Sequence, residues 1–136
     1  MTDGELEAKQ TKGSTTWLDP KTGLIWQRQS PGQMTWTQAQ SYAQSLNLDG
    51  NTDWRLPAVR ELETLLDRTR YRPAMRGEIP FRDALSYWSS TTFGPDRNNA
   101  WIVMFDGAYV LSYYKTNPYH VRCVRGKKWS PRILTR

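Results

Sequence analysis

Apolar residues first become regular near Thr16. Trp17-Leu18 and Leu24-Ile25-Trp26 flank Asp19-Pro20-Lys21-Thr22-Gly23, and two short strand-like runs about such a turn predict a hairpin with Gly23 at positive φ. Thr35-Trp36-Thr37-Gln38 has the spacing of a capping box. Trp36, Ala39, Ala43 and Leu46 follow at helical intervals, which predicts a helix over about 36–46. Pro57 suits the first turn of a second helix, with Val59, Leu62, Leu65 and Leu66 on its buried face and Arg60, Glu61, Glu63 and Asp67 outward. From Arg68 to about Ala84 periodicity is lost in a long loop that holds Arg68, Arg70, Arg72, Arg76 and Arg82. Strand-like runs then return at 87–92, 100–105, 108–114 and 119–124, between turn signals at Gly94-Pro95, Asp106-Gly107 and Asn117-Pro118. Asp106-Gly107 predicts a two-residue hairpin. Helices early and strands late imply an α+β domain, two helices packed on a small twisted antiparallel sheet with long loops. Residues 1–15 read as a flexible lead-in, 16–126 as the domain and 127–136 as a basic tail.

A chain of 136 residues accommodates one such domain. Only 38% of it is hydrophobic, but seven Trp and seven Tyr supply large rings that can fill a small core and also serve recognition. Cys123 is the one cysteine, which excludes an intramolecular disulfide and a cysteine-rich zinc site. His120 is the one histidine, so most zinc enzymes and the Ser-His-Asp and Cys-His hydrolases lack a required part. The longest apolar run, Trp101 to Phe105, has strand length and cannot cross a bilayer. Met1 to Gln10 is polar and acidic, unlike a secretory leader, so the expectation is a chain that does not export itself. The net charge of +6 sits at one end: from Arg122 onward there are six basic residues and no acid, and upstream the signs balance. That distribution argues against a broad nucleic-acid-binding face and reads as a solvated or partner-docking tail.

Few residues recommend catalysis. Asp49, Asn51 and Asp53 have the first oxygen spacings of a calcium loop, but Trp54 stands where glycine is needed and Arg60 where glutamate is needed. A turn held by side-chain hydrogen bonds is the simpler reading. Glu61 and Glu63 face different directions on a helix and make a poor acid/base pair. Cys123 alternates with Val121 in the last strand and reads as a buried structural thiol, and Arg55 as an ion-pairing residue or a donor to loop carbonyls. The informative stretch is 97–120. Asn98, Asn99, Tyr109, Ser112, Tyr113, Tyr114, Lys115, Thr116, Asn117, Tyr119 and His120 combine rigid rings with small hydrogen-bonding groups, the chemistry of a protein-binding loop surface.

The same residues carry a resemblance. Thr16 to Trp26, Asp53-Trp54-Arg55-Leu56-Pro57 with Glu61-Leu62, Tyr87-Trp88-Ser89-Ser90-Thr91, Ala100-Trp101 and Val121-Arg122-Cys123-Val124-Arg125-Gly126 resemble the successive motifs of the Lcl C-terminal domain family. That family is similar to sulfatase-modifying-factor domains and to the C-type-lectin-like fold. The resemblance implies a lectin-like scaffold of tryptophans with a ligand site on its loops. It also implies adhesins for sulfated glycans and variable proteins diversified by retroelements, in which asparagine codons changed at adenines yield Tyr, Ser, Thr, His and Asp. The paired cysteines of the formylglycine-generating branch and the Glu-Pro-Asn or Gln-Pro-Asp sugar motifs of calcium-dependent lectins are missing.

The function expected is therefore non-catalytic recognition of a macromolecular ligand, protein or glycan, through residues 97–120, without cofactor or metal. The alternative is an adhesin site for sulfated glycans on Arg68, Arg70, Arg72, Arg76 and the basic tail; a hydrolase using loop acids ranks below both. A homo-oligomer is compatible with either binding reading.

Overall fold

The computed structural model describes residues 14–129. Most of the lead-in, 1–13, and the tail from 130 lie outside them. In the first hairpin β1 (Thr16–Leu18) pairs antiparallel with β2 (Ile25–Gln27), Trp17 opposite Trp26, and Gly23 takes φ +77° as expected. Asp19 builds the turn, accepting from Lys21 N at 2.9 Å through Oδ1 and from Gly23 N at 2.8 Å through its carbonyl. The remaining elements are β3 (Gln33–Met34), α1 (Trp36–Ser45), α2 (Val59–Glu63), β4 (Ser86–Thr92), β5 (Asn99–Met104), β6 (Tyr109–Tyr114), β7 (Tyr119–His120) and β8 (Val124–Arg125). Thr35 caps α1, with both hydrogen bonds of the capping box formed.

The α+β class holds, but one antiparallel sheet becomes two sheets: β1-β2-β8 and β3-β7-β4-β5-β6, the latter with a parallel step between β4 and β7. The expected last strand over 119–124 is the reason. Its first residues pair with β3 and β4, and its last, Val124, pairs with β2 together with Arg125, so one segment enters both sheets.

Cores lie on both faces of the larger sheet. Tyr87, Val103 and Phe105 pack with Leu24, Trp26, Leu62, Leu65, Met75, Ile79, Phe81 and Val124 on one side. Trp88, Ala100 and Ile102 pack with Ala39 and Ala43 of α1, Trp54, Leu56, Val121 and Cys123 on the other. Strand β5 is thus buried on both sides: Ile102 and Val103 are fully buried and Trp101 partly so.

Two further expectations are corrected. Glu61 is not an outward helix charge but fully buried. α2 has only five residues, and the Glu61 carboxylate turns back to accept from Ala58 N at 2.9 Å and from both Arg55 nitrogens at 2.7 and 2.8 Å. It also accepts from Trp129 N at 2.9 Å. Burial pushes the Glu61 carboxyl up, yet the Arg55 and backbone donors outweigh it and hold it below its ordinary value. The β5–β6 connection has four residues, not two, and its positive φ falls on Ala108 rather than Gly107. Phe105 is drawn into the core, donating to Leu85 O and accepting from Ala74 N, so pairing with β6 ends at Met104.

Candidate functional site

Strand β6 lies at one edge of the larger sheet, held to β5 over six paired positions from Asn99↔Tyr114 to Met104↔Tyr109. Cross-strand partners share a face and successive residues alternate. Tyr109, Leu111 and Tyr113 therefore continue the Met104, Ile102 and Ala100 face beyond the cover of α1, and they are 59%, 37% and 36% exposed. Tyr119 joins them from β7. Its ring lies 5.5 Å from that of Tyr113 and packs edge-on against Trp88 at 5.0 Å. The Tyr109 ring lies over Gly107, where an added Cβ would approach it to 2.6 Å.

The other expected residues do not share this surface. Val110, Ser112 and Tyr114 point to the opposite face with Val103, Trp101 and Asn99. Tyr114 is exposed there, while the Asn99 Oδ1 is buried without a partner among the described residues. Lys115 is structural: its Nζ sits 4.1 Å over the Trp36 ring and bonds Thr92 Oγ1 at 3.0 Å, and its carbonyl accepts from Trp36 N at 2.9 Å. Asn98 and Thr116 are exposed, and Asn117 closes a turn onto the Tyr114 carbonyl at 2.9 Å. His120 stands two strands from β5, beside β4, with its Nε2 3.1 Å from the Gln33 amide nitrogen and its ring 5.8 Å from that of Tyr87. Burial holds the imidazole below its ordinary pKa, opposed by the Asp83 charge. Leu111 is the one member of the exposed row that composition missed; period-two spacing from Tyr109 and Tyr113 would have found it.

Of the arginines in the alternative site, Arg68, Arg70 and Arg72 are exposed and Arg76 is not. Arg76 is buried, donating to Asp19 and, through Nε, to Thr64 O at 2.8 Å. Arg70 and Arg72 pair with Asp67 at 3.3 Å and Asp106 at 3.2 Å. The basic tail also starts later than its charges suggest. Arg122 is buried and bonds Asp83, the Tyr87 hydroxyl and two backbone carbonyls, and Arg125 pairs with Asp53 at 2.7 Å. A buried guanidinium needs such partners, which is why Arg76 and Arg122 do not act as free surface charge. Arg132 and Arg136 lie outside the described residues. Arg60, Arg68, Lys127 and Lys128 are exposed, as are Arg70 and Arg72 beside their partners. The first two, with Glu63, Thr64 and Trp129, line a cavity of about 220 Å³.

The suggested calcium loop is a turn. Asp49 has φ +56°, its carbonyl accepts from the Asn51 amide at 3.2 Å, and Asp53 is held by Arg125. Among the described residues no three His, Cys, Asp or Glu side chains are placed to hold a metal ion, and no helix is long and apolar enough to cross a membrane. Cys123 is buried, and burial pushes its thiol up to about 12.

Comparison with protein families matches residues 15–125 to the family described as the Lcl C-terminal domain. A search of curated proteins gave no match.

Proposed function

The chain belongs to the Lcl C-terminal domain family, and from that premise we propose that it is a non-catalytic recognition domain of C-type-lectin-like fold. It binds a protein or glycan through the tyrosine face of β6 and the turn that follows. The observation that carries this reading is the exposed row Tyr109, Leu111 and Tyr113 on a strand whose backbone is fixed by β5. Rings already ordered by their scaffold lose little entropy on binding and offer apolar area with a hydroxyl at the rim. Tyr114 and Asn98 extend the contact around the strand end. Diversification by a retroelement fits the same region, whose Tyr, Ser, Thr and His residues are types reachable from asparagine codons.

The test is the double variant Tyr109→Ser/Tyr113→Ser, compared with the parent on a glycan array and against a panel of surface proteins. Loss of every parental signal, with an unchanged melting temperature, supports the site; retained binding removes it. A second reading rests on Arg60 and Arg68 flanking Trp129, with Lys127 and Lys128 nearby in sequence, a cationic and aromatic surface suited to sulfated glycan. Retention on immobilised heparin that falls steeply with salt and is lost in Arg60→Gln/Arg68→Gln would favour it, because screening weakens exposed charges far more than stacked rings.

A further inference from the structure

We propose that the outer edge of β6 pairs with β6 of a second copy of this chain, antiparallel about a two-fold axis at Ser112, extending the sheet from five strands to ten.

The direction of each backbone group follows from bonds at the strand ends. Lys115 N donates to Asn98 O at 2.8 Å, which makes Asn99↔Tyr114 a non-hydrogen-bonded pair. Alternation then aims the N–H and C=O of Tyr109, Leu111 and Tyr113 at β5 and turns those of Val110, Ser112 and Tyr114 away from the sheet. Pairing on the far side of β5 agrees. Phe105 N donates to Leu85 O and Phe93 N to Asn99 O, which leaves Met104 and Ala100 to bond β6. Among the described residues one outward group is taken, the Tyr114 carbonyl, by Asn117 N.

Sheet edges are ordinarily guarded by brevity, charge, proline or a bulge. β3, the opposite edge, has two residues and follows Pro31-Gly32; β1 has three and runs into Asp19-Pro20. β6 has six residues in regular register and none of these guards. A second copy is the occupant because β6 is complementary to itself in charge and in side-chain order: it holds no charge, so two copies meet there without like-charge repulsion. Its flanking charges are engaged, Asp106 with Arg72 and Lys115 over Trp36.

With Ser112 on the axis, the two Ser112 residues exchange N–H···O bonds, and each Tyr114 N–H meets a Val110 carbonyl. Each Val110 N–H reaches the lone pair of Tyr114 O that Asn117 leaves open. Leu111 then opposes Tyr113 of the second copy, and Val110 opposes Tyr114, apolar and aromatic pairs that stabilise sheets. The axis falls on the smallest side chain of the strand, so no ring meets itself. This goes beyond the recognition reading: two rows of Tyr109, Leu111 and Tyr113 come to lie side by side on one face.

Sedimentation equilibrium of the full chain, up to about 1 mM so that even weak association is populated, is expected to show a mass rising from 15.9 kDa toward twice that value. Ser112→Pro deletes an N–H that points away from β5 and should stay at the monomer mass with the circular dichroism of the parent. Ser112→Lys, which sets two ammonium groups across the axis, gives the same readout should the proline variant not fold. A parent that remains monomeric throughout, a closed trimer, or a Ser112→Lys chain that assembles like the parent would each overturn the proposal. Tyr109→Ser, which lies outside the paired stretch 110–114 and leaves the outward backbone groups in place, should weaken ligand binding and retain dimerisation, which separates this edge from the recognition reading.

Discussion

The guanidinium of Arg122 lies 3.8 Å from the centre of the Phe81 ring, stacked on its face. In that position it reaches Asp83 at 2.6 Å, the Tyr87 hydroxyl at 3.0 Å and the carbonyls of Gln27 and Arg28. One cation thereby joins the loop before β4, the strand β4 itself and the end of β2. Lysine keeps the charge but not the planar fork. Arg122→Lys is expected to lower the unfolding free energy by about 1–3 kcal/mol, the scale for leaving buried hydrogen-bond partners unsatisfied, as read from the urea midpoint at constant slope.

Glu61 is the second buried charge with several donors. Its lowered pKa means that its contribution is complete above the ordinary carboxyl range and is lost as pH falls through the folded value. Glu61→Gln should cost about 3 kcal/mol at neutral pH and flatten the acid limb of the stability curve. An unchanged acid limb would show that other carboxylates control it.

Tyr87 titrates the other way. Burial raises its hydroxyl to about 12, assisted by Asp83 and opposed by Arg122. The neutral phenol is the form the fold favours, so its contribution is complete below the ordinary phenol range and is lost as pH rises toward the folded value. Spectrophotometric titration should show Tyr87 ionising only near pH 12, with unfolding close behind.

The Cys123 thiol should be silent toward a thiol reagent at mildly alkaline pH in the folded protein and react fully in denaturant. Reaction in the folded state at the denatured rate would contradict its placement beneath β5 and α1.

Tyr119 and Tyr109 separate framework from surface. Tyr119 packs edge-on to Trp88, so Tyr119→Ala should cost about 1–2 kcal/mol, an aromatic pair together with its partly buried area. Tyr109→Ser, at an exposed position, should stay within about 0.5 kcal/mol of the parent.

Local chemistry was legible in the sequence. The Trp17–Trp26 hairpin, the Thr35 cap and the buried Cys123 follow from neighbours a few residues apart, where turn and capping rules operate. Long-range pairing was not. Arg76 with Asp19 and Arg122 with Asp83 are separated by 57 and 39 residues, and no spacing rule marks them, so buried cations were read as surface charge. The candidate site was half legible for the same reason. Composition located the tyrosines, but only the register of β6 against β5 divides Tyr109 and Tyr113 from Tyr114, and only the sheet order carries His120 away from them.

The segment from Tyr119 to Arg125 threads the larger sheet with one end and the smaller sheet with the other, with Val121, Arg122 and Cys123 wholly interior between. Neither sheet can open without straining that shared thread. Amide protons of β2 and β4 should therefore exchange with solvent through a common event, and calorimetry should record a single melting peak for both sheets.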